Sequence, residues 1–286
     1  MKLPAFDYAL PATIEEAVSL LASRSGNAKI ISGGQSLVPM LAFRLAAPEL
    51  LVDLKRLQGL NGIFVAEDGI RLGAKVRWCE IDRDERLRGA HPLLVEAVRH
   101  VAHYQIRNRG TVGGSVAHAD PAAEMPGIAI TCEAELKIIG PQGQRVDKAS
   151  DFFKGSLTTS LASDEILTEI KLPPWPADRR WAFLEFARRR GDFAIAGVAL
   201  HYELVAGKIA DIHIGAIGVG DRPLRLRPVE AVLNGQTLDD RAIEAAAAAA
   251  RESVDPPSDI HAPAEYRRAL LATLLARALR QSETRR

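Results

Sequence analysis

Apolar and polar residues along this chain sort into short elements bounded by glycine and proline. Thr13 and Glu16 form a capping box ahead of residues 14–22, which predicts a helix with Gly26 beyond its end. An apolar run at 28–31 predicts a strand, 36–45 a helix with Pro39 in its first turn, and 50–52 another strand. Runs at 62–65 and 70–72 flank Glu67-Asp68-Gly69, turn chemistry that predicts a β-hairpin. Helical spacing returns at 77–87 and 92–104, and in the second Leu93, Leu94, Ala97, Val98 and Val101 share one face. Strands are predicted at 134–139 and 165–172.

Three prolines in Pro173-Pro174-Trp175-Pro176 can continue neither a helix nor a central strand, so a domain boundary is predicted there. Beyond it the pattern alternates at 182–186, 194–204 and 208–219. In the last run Ile209, Asp211, His213 and Gly215 fall on one side, and Ala210, Ile212, Ile214 and Ala216 on the other. Asp239-Asp240 opens an alanine-rich helix through 251, and Pro263 opens a final one through 280. Strands followed by helices predict an α+β layer.

A chain of 286 residues with 47% hydrophobic content buries a large core, and a formal charge of +1 calls for no nucleic acid or anionic membrane. No apolar signal core opens the sequence and no run of ~20 apolar residues occurs, so a cytoplasmic protein is expected. Cys79 and Cys132 stand outside any CxxC arrangement, and an iron–sulfur cluster needs about four thiolates, so this chain holds no cluster by itself. His100 and His103 sit one helical turn apart without a third ligand and read as a surface or hydrogen-bonded pair. The arginines at 179–180 and 188–190 read as solvated surface or a partner interface.

The candidate chemistry lies in two glycine pairs, Gly33-Gly34 and Gly113-Gly114, each bracketed by hydroxyls: Ser32 and Ser36, Thr111 and Ser115. Glycine lets successive backbone amides converge on one point, and strand, glycine turn, helix start is an anion-binding arrangement. A Rossmann site is excluded because the pairs are adjacent and lack GxGxxG spacing.

SGGQSLVPML at 32–41 and IRNRGTVGGSVAHADPAAEMP at 106–126, with RRRGDFAIAGVAL at 188–200, resemble the medium, flavin-binding subunit of the molybdenum hydroxylases. That family includes xanthine dehydrogenase, carbon monoxide dehydrogenase and bacterial N-heteroaromatic hydroxylases, and SGGQS and AHADPAAEMP look nearest to the last branch. The resemblance implies an α+β fold: a two-subdomain FAD-binding domain of the vanillyl-alcohol oxidase type over 1–176, divided at 57/58. A smaller C-terminal domain over 177–286 would hold a three-stranded antiparallel sheet with helices.

The resemblance further implies non-covalent FAD, with contacts from Ser32, Gly33, Gly34, Gln35, Ser36, Leu37, Thr111, Gly113, Gly114, Ser115, His118, Glu124, the Leu167 backbone and Phe193. Gln35 replaces a histidine of some relatives, so no covalent flavin bond is expected at this loop. Glu185 stands where several relatives carry lysine. Phe193 stands where tyrosine is common, which keeps ring stacking and loses a hydroxyl. Asp120 reads as a loop stabiliser.

The implied role is electron transfer in a molybdenum-containing dehydrogenase. A large partner subunit would oxidise substrate at its molybdenum cofactor, and a small partner with [2Fe–2S] clusters would pass electrons to FAD here. An external acceptor such as NAD or dioxygen would take them away, and two three-chain units would make a heterohexamer. No nucleophile–base pair occurs, so no catalytic residue is assigned to this chain. Two rival readings stay open: a self-sufficient flavin oxidoreductase of the vanillyl-alcohol oxidase type, and a nucleotide-binding module without redox activity.

Overall fold

The computed structural model describes residues 2–285. Its first sheet is parallel, ordered Asp7–Ala9, Leu50–Asp53, Ala28–Ile31, with Ala28 opposite Leu50 and Ile31 opposite Asp53. Parallel neighbours need a crossover, and helix Leu37–Ala42 lies on the one joining Ala28–Ile31 to Leu50–Asp53. Helix Ile14–Ala22 starts where Thr13 Oγ1 accepts the Glu16 amide at 3.2 Å, and it buries Ala17, Val18 and Leu21 against Leu50 and Val52.

The second sheet is antiparallel, ordered Ile63–Ala66, Gly69–Gly73, Ile166–Leu172, Glu135–Gly140, Gly143–Lys148. Leu72, Leu136, Ile138 and Ile170 on this sheet share one apolar core with Leu93, Leu94 and Val98 of helix Pro92–His100 and Ile128 of helix Glu124–Thr131. Glu124–Thr131 is buried at all of its 8 positions, as a helix without a polar face must be.

The third sheet runs Arg180–Phe186, Ala196–Val205, Lys208–Ile217, Leu224–Arg225, all antiparallel. Both of its faces are buried. Trp181, Phe183, Ala199 and Ile217 join the core of the second sheet. Ala182, Leu200, Tyr202 and Ile214 pack on the other side with Ile243 of helix Asp240–Glu252 and Leu271 and Leu275 of helix Ala264–Ser282. At the seam with the second sheet His91, Trp175, His201 and His213 stack in sequence, with centroids 4.4, 5.4 and 4.5 Å apart. Both ring nitrogens of His201 and Nε2 of His91 lack hydrogen-bond partners among the described residues, and the Arg179 guanidinium lies 5.3 Å over the Trp175 ring.

Several expectations are corrected. The C-terminal sheet has four strands where three were expected; the fourth, Leu224–Arg225, is two residues long and leaves no alternation to detect. The strict alternation expected across 209–216 breaks at Asp211, whose φ of +49° accompanies a register shift opposite His201 and Glu203. That bulge puts Ile209 on the buried side together with Ile212 and Ile214. The helix expected over 77–87 is two helices, Trp78–Arg83 and Glu85–Ala90, because Asp84 turns its side chain to cap the second through the Arg86 amide. The helix expected over 92–104 ends at His100, with Ala102 at φ +40°, and a separate turn Tyr104–Arg107 follows. The helix expected over 36–45 shortens to Leu37–Ala42, past which Arg44 has φ +59°. Among the described residues no helix is long and apolar enough to cross a membrane.

Candidate functional site

The strand Ala28–Ile31 delivers the chain into Ser32, and helix Leu37–Ala42 begins five residues later. Between them Gly34 adopts φ +72°, a left-handed conformation that glycine enters without steric cost. Internal bonding resumes only where the Val38 amide donates to Gly34 O at 3.0 Å and the Met40 amide to Ser36 O at 3.1 Å. The amides of Gly33, Gly34, Gln35, Ser36 and Leu37 find no acceptor among the described residues. Gln35 folds back, its Nε2 donating to Gly33 O at 2.9 Å, and Ser36 makes no side-chain cap. A turn of unpaired amides leading into a helix start suits a multiply charged anion.

The second glycine pair lies beside the first. Thr111 Oγ1 donates to Ser32 Oγ at 3.3 Å across 79 positions of sequence, and a Cβ on Gly33 would overlap the carbonyl of Arg109. The expectation that this second pair also exposes amides is corrected. Residues Val112–His118 form a helix, and its first amides are consumed internally: Val112 by Val76 O, Gly113 by Ala74 O, Ser115 by Thr111 O and Gly114 by Thr111 Oγ1. Gly113 is a packing glycine, since a Cβ there would collide with Ala74. What this segment turns to the first loop is hydroxyl oxygen from Thr111, with Ser115 one helical turn on.

His118 closes that helix, and Ala119 at φ +54° redirects the chain. Burial holds the His118 imidazole below its usual range, with the Asp120 charge pulling the other way. Asp120 accepts the Ala122 amide at 2.9 Å, which is the loop-stabilising role read from the sequence. Glu124 opens helix Glu124–Thr131 with 8% exposure. Burial first, and then the charge of Glu185, push its carboxyl up to about 8; only its own backbone amide supports the ionised form. Glu185 pairs one oxygen with His100 Nδ1 at 3.4 Å and leaves the other unpartnered. His100 is therefore bound to a carboxylate and not to His103, which packs against Gly191.

Leu167 lies at a bulge in strand Ile166–Leu172, where the register slips before Glu169 and Thr168 O accepts the Ala74 amide at 2.9 Å. Ala74 also receives Gly113, so Leu167 stands one strand from the second glycine segment. Phe193 sits apart on the loop between strands Arg180–Phe186 and Ala196–Val205, 60% exposed. That loop reaches the site through Gly218, whose amide donates to Pro121 O at 2.9 Å. Three groups that frame the site carry no local sequence signal: Arg109 O, Ala74 and Gly218. Each acts through backbone or a methyl group that only the fold brings into place. Together the parts present a turn of amides unpaired among the described residues, a buried carboxyl at Glu124 and an exposed aromatic ring at Phe193.

The family model described as "FAD binding domain in molybdopterin dehydrogenase" matches residues 4–175, and "CO dehydrogenase flavoprotein C-terminal domain" matches 181–282. Nicotine 6-hydroxylase medium subunit of Paenarthrobacter nicotinovorans is 40% identical, covering 100% of both chains. Carbon monoxide dehydrogenase medium chain of Hydrogenophaga pseudoflava is 34% identical, covering 96% of each. The fold superposes on reconstituted CO dehydrogenase from Oligotropha carboxidovorans with a TM-score of 0.97 at 34% identity over 100% of both chains. Quinoline 2-oxidoreductase from Pseudomonas putida 86 gives a TM-score of 0.94 at 37% identity, covering 99% of this chain and 98% of that one.

Proposed function

The chain belongs to the FAD-binding medium subunits of the molybdenum hydroxylase family, and from that premise we propose that it binds FAD non-covalently as the electron-transfer subunit of a three-chain dehydrogenase. The observation that carries this reading is the meeting of Ser32 and Thr111 beside a turn of unpaired amides.

The residues present fit the cofactor. The amides of Gly33 to Leu37 would hold the diphosphate, each charged hydrogen bond contributing about 1.5–3 kcal/mol, with the hydroxyls of Ser32, Ser36 and Ser115 as further donors and Thr111, which donates to Ser32 Oγ, orienting the first of them. Gly114 is exposed, and apart from Thr111 Oγ1 at 2.8 Å nothing would meet a Cβ there, so it leaves the approach open. Glu124 and His118 would take the hydroxyl-bearing chain, the bulge at Leu167 would border the ring, and Phe193 would cover one ring face. Gln35, turned back onto Gly33 O, offers no nucleophile for a covalent link. Bound FAD would supply the redox chemistry between [2Fe–2S] clusters of a small partner and an external acceptor. The protein's part is to fix the diphosphate, hold an uncharged Glu124 near neutral pH and keep Phe193 over the ring.

On this reading residues 1–176 are the FAD-binding domain and 177–286 the C-terminal domain, and substrate oxidation belongs to a large molybdenum-cofactor subunit. Assembly as a dimer of heterotrimers in the cytoplasm completes the proposal. The 40% and 37% identities to nicotine and quinoline enzyme chains, against 34% for carbon monoxide dehydrogenase, support an N-heteroaromatic substrate for the holoenzyme.

Purification of the tagged chain from its native source tests the whole reading. It should come out yellow, with about one FAD per chain, and with an iron–sulfur chain and a large molybdenum-containing chain. Colourless protein that ignores added FAD refutes the proposal. Yellow protein that oxidises substrate without partners favours the self-sufficient oxidoreductase instead.

A further inference from the structure

Arg267 lies in the first turn of helix Ala264–Ser282, far in sequence from either glycine segment, and only 6% of it is exposed. One terminal nitrogen donates to two carbonyls at once, Ile195 O at 2.6 Å and Gly218 O at 2.8 Å. The other grips both carboxylate oxygens of Asp259, at 2.9 and 2.8 Å. Asp259 is itself built in, accepting the amides of His261 at 2.8 Å and Ala262 at 3.0 Å. A buried arginine that joins two chain segments and a carboxylate does more than neutralise a charge, because its planar fork sets their separation.

Both bridged carbonyls border the candidate site. Ile195 is the exit of the loop that carries Phe193, and its amide donates to Phe186 O at 2.8 Å, closing the loop's base. Gly218, at φ +73°, lies so near this exit that a Cβ would stand 2.7 Å from Ala194 O. Its amide holds Pro121 O, midway between His118 and Glu124. The loop's entry is tied to the same corner, since Arg188 donates to Ile260 O at 3.3 Å and His261 O at 2.7 Å. The exposed Phe193 is therefore strutted at both ends from the Asp259–Arg267 corner of the C-terminal helical layer.

We propose that Arg267, seated on Asp259, is a positioning residue that holds the Phe193 loop against the His118–Glu124 segment, so that the C-terminal helix sets the ring cover without touching the cofactor. This rests on the reading of Phe193 as the residue over the flavin ring. It also gives Arg188, which is exposed as the sequence reading has it, a structural task besides.

The test compares Arg267→Met, Phe193→Ala and the double variant in the full chain, with and without FAD. With the diphosphate turn untouched, R267M should bind FAD within about 3-fold of the unmodified chain. It should open the bound flavin to quenching by iodide as far as F193A does, with no further opening in the double variant, because both uncover the same ring face. Without FAD, trypsin should cut at Arg188–Arg190 about 10-fold faster in R267M, since cleavage follows the population of the opened loop. Arg267→Lys keeps a positive charge beside Asp259 but has one nitrogen where the fork uses two to hold the carboxylate and both carbonyls; it should fall between R267M and the unmodified chain in both assays, and it carries the test if R267M does not fold. Unchanged iodide quenching and unchanged cleavage overturn the proposal while leaving FAD binding intact. Iodide quenching that F193A does not alter overturns it as well, by removing the contact that Arg267 would position. A colourless unmodified chain would defeat the proposed function first, and this inference with it.

Discussion

Gly34→Ala isolates the cost of the anion-binding turn. At φ +72° the atoms nearest a Cβ are Val38 Cγ2 at 3.3 Å and two Ile31 carbons at 3.5 and 3.8 Å, flexible side-chain atoms that can yield. The main penalty is therefore the left-handed backbone, about 1–2 kcal/mol for a residue with a Cβ. The chain can relieve it by leaving that region, and doing so swings the Gly34 and Gln35 amides away from their common focus. If the loss amounts to two charged hydrogen bonds at about 1.5–3 kcal/mol each, FAD affinity falls by about 10²- to 10⁴-fold. Gly207→Ala is the matched control, because Gly207 has φ +74° and nothing within 4 Å of a Cβ. Both variants should lose about 2–4 °C of apo-protein Tm per kcal/mol of strain, and only G34A should lose FAD. Titration of FAD by quenching of its fluorescence decides the matter. An FAD affinity for G34A within about 3-fold of that for G207A would show that the turn's amides do not grip the cofactor.

Gly113→Ala should destabilise the apo protein by about 1–3 kcal/mol through overlap with Ala74, and the added Ala74→Gly change should recover only part of it in urea unfolding, because Cα and O of residue 74 stand 2.7 Å from the same Cβ. Glu124 keeps its proton in the folded protein up to about 8, whereas an unfolded carboxyl releases it near the usual range of about 4.3, so stability falls as pH rises between those values. Glu124→Gln removes that slope. The Tm of the apo variant should exceed that of the unmodified chain by an amount that grows from pH 5 to pH 8, and parallel Tm curves would contradict it. Burial holds the folded-state pKa of His91 down at about 3 and that of His201 well below its usual range, with His213 and Arg179 adding positive charge nearby. Both imidazoles take protons more readily unfolded, so stability is lost as pH falls below about 6.5. His201→Phe should flatten this acid limb by about one proton in urea titrations between pH 4 and 7, because it removes one of the two buried titrating rings.

Local signals carried much of the fold. The Thr13 cap, the Asp68-Gly69 turn and the amphipathic face of Pro92–His100 each act within a few residues, and each stands in the structure where the sequence places it; the proline run at 173–176 follows the end of strand Ile166–Leu172. The errors share a cause: backbone details that one side chain decides. Asp84 caps a helix in the middle of an apolar pattern, Asp211 inserts a bulge into an alternating strand, and Leu224–Arg225 pairs through too few residues to leave a period.

The candidate site divides in the same way. Two glycine pairs with flanking hydroxyls were visible in the sequence because glycine and serine state their backbone chemistry locally, and the family follows from them. Their division of labour was not visible. Whether a glycine frees its amide or admits a neighbour depends on what stands opposite, and Ala74 and the Arg109 carbonyl come from elsewhere in the chain. The burial that raises Glu124, the carboxylate of Glu185 beside it, and the reach of Arg267 to Ile195 and Gly218 likewise exist only after packing. Residue types and short spacings settle what a segment can do by itself; desolvation and contact across the fold settle which of those capacities is used.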